Sequence, residues 1–357
     1  MTDELYTPLR AGDLHPANRF VMAPMARRRA ADSGAPSEHA PLYYAQRAAA
    51  GLIVTEGTAP CAAGKGSLRM PAIFDAAHVA GWRKVTDAVH AKGGSIVLQL
   101  MHSGRVAHSS RLPDGALPVA PSAVRPAGKV MAAGGMTEYE VPRALELNEI
   151  PKVVEQYAHA ARCAINAGFD GVELHGASGF LPMQFLCSST NRRTDAYGGA
   201  AANRARFTVE VLQGLAAAIG AGRVGVKLSP ENPHNDISDA NPVETFSTLV
   251  SAISGLGLAY LHVAVDANAR ADHVTLLRPL FKGAYFVGGG LTRDKASALL
   301  ASGKADAAVF GVLFLANPDL PERFRLGASL NKPDFDTFYT VGPKGYTDYP
   351  FLADATA

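Results

Sequence analysis

At 357 residues the chain is long for one ordinary domain but within reach of an α/β barrel, and 48% apolar residues suffice for a sizeable core. Its formal charge of +2 comes from scattered Lys and Arg, which argues against a basic face for nucleic acid and against a polybasic membrane patch. Three cysteines, Cys61, Cys163 and Cys187, show neither metal-ligand spacing nor an even-numbered disulfide framework, so reduced thiols, a cytoplasmic location and no metal site are expected.

The start, Met-Thr-Asp-Glu, is acidic and carries no apolar signal segment. Strand-like runs follow at 19–23 and 52–56, a helical pattern at 78–92, and a strand at 95–100. The Pro- and Gly-rich stretch 111–146 is too long for a connector and reads as an inserted loop or hairpin. Beyond it, strands at 171–175, 224–229, 258–263, 284–288 and 306–311 alternate with helices at 150–167, 201–219, 242–255, 273–280 and 293–301. Eight strands separated by helices predict parallel βαβ units closed into a (β/α)8 TIM barrel, one domain over 1–357. No Gly-x-Gly-x-x-Gly follows the first strand, which counts against a doubly wound dinucleotide fold. The longest apolar run, 307–316, is far too short to span a bilayer.

Barrel sites lie where strands end. Strand one ends at Ala23-Pro24-Met25-Ala26, strand two at Glu56-Gly57, strand three at Gln99-Leu100-Met101-His102 and strand four at His175. Strand five carries Lys227, strand seven ends Gly288-Gly289-Gly290 and strand eight ends at Gly311. Polar heads at the ends of apolar strands are the layout of a ligand pocket. Lys227 sits between Val226 and Leu228 and needs a partner charge, either an anionic ligand or Glu173 or Glu56. The triple glycine opens a helix, a place where backbone N–H groups hold phosphate. His102 and His108 read as structural or surface residues, and His262 fits either role.

Eight segments resemble one family in order along nearly the whole chain: "NRFVMAPMAR" (18–27), "YYAQRAAAGLIVTEGT" (43–58), "QLMHSGR" (99–105), "ELHGASGFLPMQFL" (173–186), "NRRTDAYGG" (191–199), "NRARF" (203–207), "LFLANPDL" (313–320) and "GYTDYP" (345–350). They resemble the Old Yellow Enzyme family, FMN-dependent ene-reductases that use NAD(P)H. The resemblance implies a monomeric or homodimeric barrel with FMN at its strand ends and an activated alkene as small-molecule substrate. It implies Ala23, Pro24, Met25 and Ala26 beside the flavin, Gly57 and Gln99 on its pyrimidine edge, and Lys227 where the family usually has Arg near N1 and O2. It puts Gly288, Gly289, Gly290, Gly311 and Val312 at the phosphate. It makes His175 and Ser178 the pair that bonds the substrate oxygen, with Phe180 and Tyr346 lining the pocket.

Several positions depart from the family pattern. His-x-x-His or His-x-x-Asn followed by Gly-Tyr is replaced here by His175-Gly176-Ala177-Ser178-Gly179-Phe180, so the usual tyrosine proton donor has lost its oxygen. A positioned general acid contributes about 10²- to 10⁴-fold. Ala26 stands for the usual Thr or Cys, Met101 for a common Trp, and Val312 for the phosphate-gripping Arg, for which Arg293, in the first turn after the glycines, is a candidate substitute. Three functions are compatible with this set. One is a reductase protonated from water or a neighbour such as Tyr346. Another is a specialised isomerase, desaturase or cyclase of a secondary metabolite. The third is a non-catalytic flavin- or metabolite-binding barrel.

Overall fold

The computed structural model describes residues 3–352; Met1 and Thr2 of the acidic start, and 353–357, lie outside the described residues. In chain order the strands are β1 (Phe20–Met22), β2 (Leu52–Val54), β3 (Ile96–Leu100), β4 (Val119–Ala120), β5 (Lys129–Ala132), β6 (Gly135–Glu138), β7 (Arg143–Ala144), β8 (Gly171–Gly176), β9 (Val224–Leu228), β10 (Tyr260–Ala264), β11 (Ala284–Gly288) and β12 (Ala307–Phe310). The helices are α1 (Ala40–Ala45), α2 (Ala76–His90), α3 (Ile150–Asn166), α4 (Leu181–Leu186), α5 (Ala201–Ile219), α6 (Pro242–Ile253), α7 (His273–Leu277), α8 (Arg293–Ala301), α9 (Val312–Ala316) and α10 (Leu320–Leu326). Eight parallel strands close a barrel in the order β1-β12-β11-β10-β9-β8-β3-β2, as the alternation of elements predicts.

Both faces of each barrel strand are buried, so the strands read as apolar runs and not as alternating ones. One face meets the helices through Phe20, Ile53, Leu98, Leu174, Val226 and Leu261. The other fills the barrel with Val21, Val54, Val97, Tyr260, Phe286 and Val309. Tyr260 and Phe286 stack at 4.3 Å inside it. The ring of Tyr260 lies over Gly225, where a Cβ would sit 2.2 Å from it, so that strand position requires glycine. Among these inward residues, and on the same alternate positions of their strands, stand Gln99, Glu173, His175, Lys227 and His262.

Helices α2, α6 and α8 start on side-chain caps: Asp75 accepts from the His78 N–H at 2.8 Å, and Asn241 and Thr292 cap α6 and α8 in the same way. The inserted stretch contains an antiparallel hairpin of β5 and β6, together with β4, which pairs in parallel with β7. This hairpin carries Met131 and Met136 over the strand-end face. No described helix is long and apolar enough to cross a membrane.

Candidate active site

Two cavities open at the C-terminal ends of the barrel strands and share Lys227 as a wall. The smaller, about 300 Å³, is lined by Ala23, Lys227, Gly288, Gly289, Gly290, Gly311 and Val312. The larger, about 650 Å³, takes Pro24, Ala26, Gly57, Gln99, His175, Ser178, Phe180 and Lys227 into its wall. Of the residues singled out from the sequence, Met25 and Tyr346 line neither cavity. Met25 packs against the core instead.

Tyr346 corrects an expectation. It is 1% exposed and stacks on Tyr43 with centroids 4.0 Å apart, under the guanidinium groups of Arg27 and Arg29. Burial raises its phenol well above the usual 10. It is therefore a core residue that neither lines the pocket nor supplies a proton there. Tyr339 and Tyr139 line the large cavity. Arg293 does not line the smaller cavity, and its Nη2 pairs with Asp3 at 3.3 Å.

The inner wall is a buried polar network. Gln99 Nε2 donates to Glu173 Oε1 at 2.7 Å, which leaves the amide oxygen of Gln99 available to the cavity. His262 Nδ1 donates to Glu173 Oε2 at 3.1 Å, so the bare Nε2 turns towards Gly288 and the smaller cavity. Lys227 is the neighbour of His175 on one side and of His262 on the other. Burial lowers its ammonium pKa and the Glu173 charge raises it. Glu173, the partner offered as one alternative from the sequence, thus compensates Lys227. From the sequence, Glu173 is only one candidate partner of Lys227 and His262 fits either role; the bonds of Glu173 to Gln99 and to His262 are not legible there.

His175 is set up as a neutral donor. Burial, helped by Lys227 and His262, holds its imidazole well below the usual 6.5. Its Nδ1 accepts the Ala177 N–H at 3.3 Å, so the ring proton lies on Nε2 and is free to donate to a ligand oxygen. Phe180 meets the imidazole edge-on, centroids 4.7 Å apart. Ser178 holds a left-handed φ of +53°, fixed by its N–H donating to Ser229 Oγ at 2.8 Å and by its carbonyl accepting from Asn235 Nδ2 at 2.7 Å. A strained loop held this firmly is typical of ligand sites.

The smaller cavity fits a phosphate. Gly289 takes φ +125°, and a Cβ there would lie 2.4 Å from the Val265 carbonyl, so only glycine lets the chain turn into the α8 N-terminus. Its bare backbone, the turn at 311–313 that opens α9 and Lys227 suit an anion, while the Gln99 amide oxygen suits a ring N–H next door. The two cavities together match a phosphorylated flavin with its ring towards His175.

A model of the NADH:flavin oxidoreductase / NADH oxidase family matches residues 4–331. A probable flavin mononucleotide-dependent alkene reductase of Leishmania infantum is 44% identical over 365 residues, covering 98% of each chain. A putative 12-oxophytodienoate reductase 5 of Oryza sativa subsp. japonica is 41% identical, covering 98% of this chain and 95% of that protein. Morphinone reductase in complex with tetrahydroNAD superposes with a TM-score of 0.95 at 45% identity over 99% of both chains. The Old Yellow Enzyme homologue from Zymomonas mobilis superposes with a TM-score of 0.94 at 41% identity, covering 98% of this chain and 99% of that one. The chain belongs to the NADH:flavin oxidoreductase / NADH oxidase family, the Old Yellow Enzyme family that its motifs resemble.

Proposed function

We propose that the chain is an FMN-dependent oxidoreductase that reduces activated carbon–carbon double bonds at the expense of NAD(P)H, working as one FMN-binding barrel domain. The observation that carries this reading is the pair of cavities joined at Lys227, one backbone-lined and suited to phosphate, the other walled by Gln99 and the His175 donor. Relatives named as alkene and morphinone reductases support it. Neither the redox-neutral reading nor the non-catalytic one is favoured by those names. Three buried free cysteines fit a reducing, cytoplasmic setting, where the chain would work as a monomer or homodimer.

When bound, FMN would supply two-electron hydride chemistry between a nicotinamide and the β-carbon of the alkene. Lys227 provides positive charge beside the ring, where electron density gathers. Gly288, Gly289, Gly290 and Gly311 would hold the phosphate through backbone N–H groups, and His262 Nε2 would accept from a hydroxyl of the linking chain. His175 Nε2–H donates to the substrate's carbonyl or nitro oxygen and stabilises the charge that grows there, with Ser178 as a second, shorter donor. Phe180 fills the position of the usual acid and has no proton to give, so the α-carbon is protonated from water admitted to the cavity. Anaerobic oxidation of NADPH or NADH that requires cyclohexenone and yields cyclohexanone supports the reading. Conversion of an enone with no nicotinamide consumed contradicts it.

A further inference from the structure

Three arginines run together at 27–29, and the middle one differs from its neighbours. Arg27 and Arg29 are buried and bind backbone carbonyls, those of Gly345 at 2.7 Å and Thr337 at 2.9 Å among them. Arg28 instead adopts a left-handed φ of +50°, which turns its side chain into the wall of the larger cavity. A non-glycine residue in that region costs energy and persists where surrounding contacts hold it. Here Arg69 Nε holds the Arg28 carbonyl at 2.8 Å.

The guanidinium of Arg28 lies 4.8 Å over the ring of Tyr339, and its Nε is buried without a hydrogen-bond partner. Among the described residues no carboxylate pairs with it. Glu56, which reaches this segment, spends Oε2 on the Arg27 N–H at 2.9 Å. Lys129 and His234 stand in the same wall, and the acid there, Asp236, already accepts from the Ala127 N–H at 2.9 Å. The Nη1 and Nη2 of Arg28 likewise make no hydrogen bond or ion pair among the described residues, and a planar cation held on an aromatic face with those two donors open suits a carboxylate or a phosphate oxygen.

We propose that Arg28, backed by Lys129, anchors an anionic group on the molecule whose reacting end lies at His175. This rests on the reductase reading above and adds to it a substrate class. The anion has two possible sources, a carboxylate borne by the alkene or the 2′-phosphate that NADP(H) carries and NAD(H) lacks.

The FMN-loaded protein distinguishes them by equilibrium titration, read from the flavin absorption band. One arm compares cyclohexenone with a cyclohexenone carrying a carboxylate on a saturated ring carbon. The other compares NAD⁺ with NADP⁺. The member bearing the extra anionic group in at least one pair should bind about 10- to 100-fold tighter, the worth of one charge-assisted contact. Arg28→Met should collapse that ratio and Arg28→Lys should keep part of it. Discrimination in the enone arm identifies a carboxylate, and discrimination in the dinucleotide arm a phosphate. Equal binding within both pairs, or a ratio that survives in Arg28→Met, overturns the anchor. Should Arg28→Met fail to fold, salt decides on the unaltered protein: the ratio must fall as ionic strength rises, and a salt-independent ratio overturns the proposal. Failure of the unaltered protein to reduce neutral cyclohexenone would overturn the parent reading instead, so the two failures are separable.

Discussion

Gln99 and Glu173 are register partners across β3 and β8, and their side chains meet inside the barrel at 2.7 Å. Glu173 is fully buried and serves Gln99, His262 and Lys227 together. It therefore sets which atom of Gln99 and which nitrogen of His262 face the two cavities.

Glu173→Leu removes the acid and leaves three buried polar groups without it. Breaking a buried charged cluster from one side costs about 3–5 kcal/mol. Urea unfolding should show a loss of that size. A loss below about 1 kcal/mol would mean that the network does not hold the wall in place.

Val312 is the first residue of α9 and lines the glycine cavity, half-exposed. Val312→Arg should bring a guanidinium to the phosphate and tighten FMN by at most about 1.5–3 kcal/mol. The dissociation constant, measured by flavin fluorescence, checks this. An unchanged value would show that the side chain at 312 does not reach the phosphate.

Acid should destabilise the fold earlier than carboxylate protonation alone would. Burial holds His102 down at about 4, His175 well below the usual 6.5, and His262 below it too. The unfolded chain protonates these groups and the folded chain does not, so their stability is present above 6.5 and lost as pH falls. Glu56 opposes them. Burial raises it from 4.5 to about 7, so its contribution is present below 4.5 and lost as pH rises towards 7. Burial lowers His273 as well, so four groups against one leave at most about 4.1 kcal/mol lost per pH unit on acidification. Urea midpoints at about pH 7 and pH 5 measure it, and equal or greater stability at pH 5 would contradict it.

Phe180→Tyr adds one hydroxyl beside His175 and restores a proton donor. Alkene reduction should rise, by up to the roughly 10²- to 10⁴-fold of a positioned acid. Product analysis alongside turnover checks the direction. An unchanged rate and product would show that position 180 does not face the carbon that takes the proton.

The barrel was legible in the sequence because apolar β-rich runs alternate with amphipathic helices, and seven of the eight strand starts fall within one residue of expectation. The strand expected at 258 begins at Tyr260 instead. Helices α1, α4, α9 and α10 went unread because runs of five to seven residues are too short to show helical periodicity. Strand ends located Gln99, His175 and Lys227, but the bonds of Glu173 depend on register, which no local pattern encodes. Tyr346 was misread because its motif fixes its place in the chain, whereas stacking on Tyr43 between two arginines fixes where the ring goes. The unpartnered Nε of Arg28 is likewise a tertiary fact, since Arg27 and Arg29 look the same in sequence.

The central claim is that the neutral imidazole of His175 donates to the substrate oxygen at the flavin-binding end of the cavity. Anaerobic stopped-flow absorption of His175→Ala tests it by following flavin reduction by NADPH and reoxidation by cyclohexenone separately. Loss of one preorganised donor costs about 10²- to 10³-fold, and that loss should fall on reoxidation far more than on reduction. Reoxidation at the unaltered rate, or equal damage to both half-reactions, would contradict the account.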